Sequence, residues 1–403
     1  MNAAAASDVQ RGLLRAADDR LSQVVALVDA MPRRGAADAL IEPLRPRLAV
    51  LAPLRPLSLS RLLFKPLDAA ILPGASWRPG LPAVPRTALA PIGAAVLERM
   101  GSDAITMEAM VAGRNSADAS AIEQTCALLW PAAAAVLDEL PLPTAWADAT
   151  GLPSTCYEPI RADIAAVLHQ ADAIRRCSAM AEGPELAACV RDLLAETAST
   201  HAAGLAIVLT VLLSQGLVTG PAFAAVPGPA LEAAGEHALD RAQHILKAVM
   251  PNLPVTGAVA QAVQIGALLD AMEGPQARPG LRSRARDMRR AANAACRGRL
   301  LLALDRDFLP RVAEPGPEMA DADVTALEGV ARGLRRLALA GRRFGAGAIY
   351  DSLLGGAATG VCAASSMALS RMDRLRLAEL LLGPDAALQL ETQGRLTGGA
   401  GGP

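Results

Sequence analysis

The chain has 403 residues, 52% of them hydrophobic and 20% charged, and its 39 Lys and Arg against 40 Asp and Glu leave a formal net charge of −1. That balance excludes a largely disordered chain, which would be poorer in apolar residues, and it removes net charge as an argument for nucleic-acid binding. Only nine residues are aromatic, so the core has to be built from Leu, Val, Ile and Ala, a mixture that suits close-packed helices and suits strands badly.

In chain order, Ser7 is placed to cap a first helix reaching about Met31, with Leu13, Ala17, Leu21, Val24, Val25 and Val28 on one face. Residues 32–91 then hold eleven of the twenty-nine prolines, and Pro43-Leu44-Arg45-Pro46 recurs as Pro53-Leu54-Arg55-Pro56. Proline removes backbone donors and fixes φ, so this stretch is expected to alternate short turns with extended segments lying over a helical body. A helix is expected from about Pro85. Ser120-Ala-Ile-Glu123 reads as a capping box opening a helix to Leu140, kinked at Pro131. Pro159, Pro184 and Pro229 sit where a first helical turn tolerates proline. Further helices are predicted over 159–177, 184–199, 201–217, 229–250, 255–273, 280–304, 321–343, 346–354 and 371–382. From Thr392 the chain turns Gly-rich and is expected to be disordered.

No segment shows sustained period-2 alternation between hairpin turns. The fold class is therefore all-α: a multi-helix bundle or irregular α-solenoid of antiparallel helix pairs, with a Pro-rich irregular segment near the N-terminus. The corresponding division is an N-terminal helix (1–31), a Pro/Arg-rich region packed on the helical body (32–100), the helical body itself (101–391, with any subdivision near 274–280), and a tail (392–403).

Several chemistries are excluded by inventory. The only lysines are Lys65 and Lys247, and neither stands in the Gly-Lys-Ser/Thr context a phosphate loop requires. Gly345-Ala346-Gly347 lacks the third glycine and the preceding strand of a dinucleotide fingerprint. No Gly-x-Ser-x-Gly elbow and no His-Glu-x-x-His is present. Cys126, Cys156, Cys177, Cys189, Cys296 and Cys362 are each more than three residues from the next, so they read as small apolar filler rather than a zinc knuckle or redox pair. The first nineteen residues carry Asp8, Asp18 and Asp19 and no long apolar core, which is not a secretory signal. A cytoplasmic location is the expectation.

Four constellations remain. Ala202 to Leu231 is free of charge, and its apolar heart at 205–213 reads either as a central buried helix or as the start of a membrane span. Arg278 to Arg299 holds eight arginines and one acid, with Arg282, Arg286, Arg289, Arg290 and Arg297 near one helical face. The helix at 321–343 repeats the design with Arg332, Arg335, Arg336, Arg342 and Arg343 outside. Such faces are either solvated surface or a guanidinium platform for phosphate, anionic lipid headgroups or an acidic partner protein. His237, Asp240 and His244 share a helical spacing that could serve a metal, with Arg241 beside them as a plain ion-pair partner. Trp77 and Arg78 lie in the proline-stiffened region, where they read either as an interaction hot spot or as a loop pinned onto its own body.

The function expected from these features is a non-enzymatic helical scaffold or adaptor. It would bind an acidic protein or other polyanion through Arg282, Arg286, Arg289, Arg290, Arg335 and Arg336, with Trp77 and Arg78 as further partner contacts. No catalytic residue, metal ligand or cofactor is assigned, and the scarcity of aromatic residues near the arginines argues against nucleic acid. Two alternatives stand beside it: a membrane-associated protein inserting the helix around 202–218, and an all-α enzyme whose site is dispersed in sequence and uses His169, His201, His237 or His244.

Overall fold

The computed structural model describes residues 18–29 and 54–390, except 182, 219–225, 276, 314–318 and 364–368, together with a few isolated positions before residue 54. Among the described residues the protein is all-α, as composition and periodicity require. Its one sheet is a parallel pair of two-residue strands, Ile71–Leu72 against Val84–Pro85, with Ile71 opposite Val84. The chain divides into two compact units, one formed by Met1–Arg241 with Asp270–Arg282 and the other by Ala242–Leu269 with Ser283–Pro403.

In the first unit, the helix Asp18–Asp29 buries Leu21 and Val25 against Ile41, Leu44 and Leu48. The repeated Pro-Leu-Arg-Pro segment, the Ser7 cap and the Gly-rich tail fall largely outside the described residues. The centre of the unit is the helix Ala119–Asp138, along which Tyr157–His169 packs. Leu129, Ala133 and Leu137 from the first and Ile160, Ile164 and Leu168 from the second are all buried. Pro131 sits inside Ala119–Asp138 without ending it. That helix is capped by Asp118, whose carboxylate accepts from the Ala121 amide at 3.1 Å, rather than by the expected Ser120 box. Asp118 lies two residues earlier and is the stronger acceptor, so Ser120 is left inside the helix, accepting from Gln124.

Scarce aromatics act as pins between elements. The Trp130 indole donates to the Leu62 carbonyl at 3.0 Å in the core. Trp146 and Tyr157 meet edge-to-face at 5.2 Å, and the Tyr157 hydroxyl donates to the Leu140 carbonyl at 2.8 Å. The uncharged helix Leu205–Ser214 is covered by Tyr157–His169, Pro184–Thr200 and the 3-10 segment Lys65–Ala70. Its Leu205, Ile207, Val208, Leu209, Val211, Leu212 and Leu213 are all buried. At 10 residues it rises about 15 Å, half of a hydrocarbon core. Two other helices, Ala119–Asp138 and Val255–Glu273, are long and apolar enough to cross a membrane by length and composition alone.

In the second unit, Asp321–Arg342, Gly347–Ala363 and Arg371–Leu382 pack on one another. Buried Leu327, Leu334 and Leu337 face Leu354, Val361, Leu377 and Leu381 in its core. Gly341 is needed for close approach: a Cβ there would lie 2.6 Å from the Tyr350 hydroxyl, which itself donates to the Asn293 side-chain oxygen at 2.8 Å. The helix Arg371–Leu382 opens with a complete capping box between Ser370 and Asp373.

Candidate functional site

Three helix ends of the first unit converge beside one cleft. Asp138 is the last residue of Ala119–Asp138, His169 the last of Tyr157–His169, and His201 follows the last residue of Pro184–Thr200. One ligand atom from each of Asp138, His169 and His201 falls within 4.8 Å of the other two. His169 Nε2 lies 2.9 Å from the Asp138 carboxylate, and the two imidazole rings stack at 4.3 Å. Beside them lies a cleft of about 270 Å³, lined by Asp138 and His201 with Arg161, Ala162, Ala165, Thr200 and the small residues 202–204.

Local chemistry explains how each group is held. The Thr200 hydroxyl donates its single proton to the Glu196 carbonyl at 2.8 Å, so it can only accept from His201, whose Nδ1 lies 2.9 Å away. That fixes the tautomer with the proton on Nδ1 and leaves the His201 Nε2 lone pair free for a ligand. Burial, and then the neighbouring His169, lowers the His201 pKa and favours the neutral, ligating form. Arg161, though it lines the cleft, is spent elsewhere. Its guanidinium donates to the Leu137 carbonyl at the end of its neighbour helix and pairs with Glu158. Among the described residues the Asp138 carboxylate therefore has His169 as its only hydrogen-bond partner.

Two imidazoles and one carboxylate on separate helix ends are the donor set of a divalent transition-metal site. Bonds of about 2.0–2.2 Å to one ion place neighbouring ligand atoms roughly 3–3.5 Å apart. The 2.9 Å separation of His169 Nε2 from the Asp138 carboxylate is close to that spacing, and the His201 ligand atom lies within 4.8 Å of both. Three protein ligands leave coordination positions open to water, the arrangement in which a metal lowers the pKa of bound water. Comparison of the chain with protein-family models, curated proteins and solved structures finds no match.

The other sequence candidates are distributed differently. His237 is buried with its Nε2 unpaired, whereas Asp240 and His244 are exposed, so the spacing does not gather the three at one site. Arg241 does not reach along its helix as expected; its guanidinium donates to the Ala69 carbonyl and anchors the helix to the Lys65–Ala70 turn. Trp77 is half-buried and donates to the Ala83 carbonyl at 2.7 Å, while Arg78 projects into solvent. Arg286 and Arg336 are exposed, Arg282 half-buried. Arg289 donates to the Arg343 carbonyl at 2.8 Å and Arg290 pairs with Asp287, one turn away on its own helix.

Arg335 lies in a cleft of the second unit of about 360 Å³, with Leu339, Arg342, Leu354, Leu381 and Leu382 around it. Arg342 is paired there with Asp351. Sequence reasoning placed His169 and His201 among candidate catalytic histidines but missed Asp138 altogether. The signal it offers is slight: an acid and two histidines each at a helix terminus, where side chains from different helices meet.

Proposed function

We propose that the protein is a helical metal-binding protein that holds a divalent transition-metal ion between Asp138, His169 and His201. The observation that carries this reading is the convergence of the three donor groups within 4.8 Å. The enforced Nδ1 proton on His201 supports it, because a tautomer fixed by a partner on the other ring nitrogen is how ligating histidines are oriented. Titration of the metal-free full-length chain with Zn²⁺ and Co²⁺, followed by calorimetry and Co²⁺ absorption, tests it. One ion per chain is expected, with affinity falling at least tenfold in each of Asp138→Asn, His169→Ala and His201→Ala. Absence of stoichiometric binding, or binding unchanged in the double histidine variant, overturns it.

A second reading keeps the adaptor function and is favoured by the second unit's cleft. Apolar Leu339, Leu354, Leu381 and Leu382 are flanked by the Arg335 and Arg342 guanidinium groups, and exposed Arg336 adjoins them in sequence. An acidic amphipathic peptide is the partner such a cleft would take, its apolar side in the groove and its carboxylates on Arg335 and exposed Arg336 rather than on Arg342, which Asp351 already holds. Binding of an acidic amphipathic helix should weaken as salt rises and fall in Arg335→Glu. Equal binding by wild type and that variant would exclude the cleft.

A further inference from the structure

Cys177 and Cys189 stand twelve residues apart on consecutive helices, Ala171–Ala179 and Pro184–Thr200, whose facing sides bring the two sulfurs together. Their Sγ atoms lie 2.7 Å apart, closer than two non-bonded sulfurs rest, and need to approach by roughly 0.7 Å to reach the S–S bond length of about 2.05 Å. Cys177 is buried and Cys189 half-buried, so one member of the pair is reachable from solvent and the other is sheltered behind it. Sequence spacing alone hides this pair, because the turn between the helices folds them into contact.

We propose that Cys177 and Cys189 form a redox modification site, at which hydrogen peroxide converts the two thiols into a reversible intramolecular disulfide. Cys189 meets the oxidant first: its sulfur attacks one peroxide oxygen, the O–O bond breaks, and a sulfenic acid and one water result. The Cys177 sulfur then attacks the sulfenic sulfur. The S–S bond forms, the S–O bond breaks, and the hydroxide leaves with the Cys177 proton as a second water. In sum, two thiols lose two hydrogens and one hydrogen peroxide is reduced. Burial pushes the Cys177 thiol up to about 12, which suits a resolving partner that stays protonated until its neighbour is oxidised. A small dithiol reverses the bond by thiol–disulfide exchange at the accessible Cys189 sulfur. The bridge would tie together the helix that follows His169 and the helix that precedes His201. The pair is an observation independent of metal binding at those residues.

Trypsin leaves both cysteines in one peptide, Cys177–Arg191, which makes the test direct. The full-length chain is treated with graded hydrogen peroxide, quenched with catalase, unfolded in N-ethylmaleimide and digested. The expected peptide is lighter by two hydrogens, carries no maleimide, and regains two maleimide sites after dithiothreitol. Cys177→Ser and Cys189→Ser should each abolish that mass loss. A wild-type peptide still carrying two maleimides when exposed Cys362 has been oxidised overturns the proposal, as does irreversible sulfinic acid at Cys189. The wild-type measurement decides the matter even if a serine variant fails to fold.

Discussion

Gly204 and Ala166 touch so closely that a methyl group on Gly204 would overlap the Ala166 Cβ and lie 3.7 Å from its Cα. Gly204 has an ordinary φ of −87°, so glycine is needed for space and not for backbone freedom. This contact seats the turn Ala202–Gly204 against Tyr157–His169 and thereby holds His201 over His169. Gly204→Ala should cost about 1–3 kcal/mol, the range for forcing an extra methyl into a packed contact. It should also weaken metal binding, because the turn carrying His201 has to move. Thermal unfolding and Zn²⁺ titration of the variant check both effects; wild-type affinity with lowered stability would uncouple the turn from the site.

Asp163 predicts a pH dependence of definite sign. Burial pushes its carboxyl up to about 7, and among the described residues it makes no hydrogen bond or ion pair. In the unfolded chain the group titrates near its usual value of about 3.9. Between roughly pH 4 and 7 the folded state therefore holds more protons, and stability falls as pH rises through that window. His201 and His237 act oppositely. Their pKa values are lowered by burial, so the unfolded state binds more protons below about 6.5 and stability falls as pH drops. Asp163→Asn should remove only the first effect, raising stability over wild type at pH 8 and changing it almost not at all at pH 4. Denaturant unfolding at the two pH values measures the difference, and an equal gain at both would sink the idea.

The helix Leu205–Ser214 carries a third prediction. Leu209 is fully buried, and its neighbours Val208 and Val211 are too. Leu209→Asp would place a carboxylate among them without a partner, a cost exceeding about 4 kcal/mol and comparable with the whole stability of many domains. Soluble yield should collapse, whereas Ile105→Asp, at a position 74% exposed, should be tolerated. A soluble Leu209→Asp protein with unchanged melting would contradict this burial.

Legibility from sequence followed the strength of local signals. The helices Val255–Glu273 and Arg371–Leu382 begin and end where expected, the first behind Pro254 and the second inside the Ser370 box. By contrast, the helix expected over 159–177 breaks at Gln170 into Tyr157–His169 and Ala171–Ala179. Neither Gly nor Pro marks that break; Gln170 is buried and takes a non-helical φ of −95° and ψ of 1° through packing. This unmarked break turns His169 into a helix terminus and so makes the site. Asp138 and His169 are 31 residues apart, a separation over which no periodicity connects residues. Likewise, the arginine count showed two rich helices but not which guanidinium groups are spent within the fold.

Arg286 and Arg299 separate those two uses and give the last prediction. Arg299 is only 7% exposed; its Nε donates to the Leu253 carbonyl at 2.7 Å and its Nη2 lies 3.6 Å from Asp307. Burial lowers its pKa, so the charge is held against desolvation by those two partners. Arg299→Ala leaves the Leu253 carbonyl without this donor and opens a void, which should cost about 2–4 kcal/mol. For a unit of this size that is a drop of roughly 5–15 °C in melting temperature. Arg299→Met, which refills the space without the charge, should recover part of the loss. Arg286 is exposed and makes no ion pair among the described residues. Arg286→Glu should change stability by no more than about 0.5 kcal/mol, because exposed charges are screened and flexible. Melting curves of the three variants settle the ranking: equal losses in Arg286→Glu and Arg299→Ala would mean that the outer face of Pro279–Ala303 is structural, and would remove Arg286 from any partner surface.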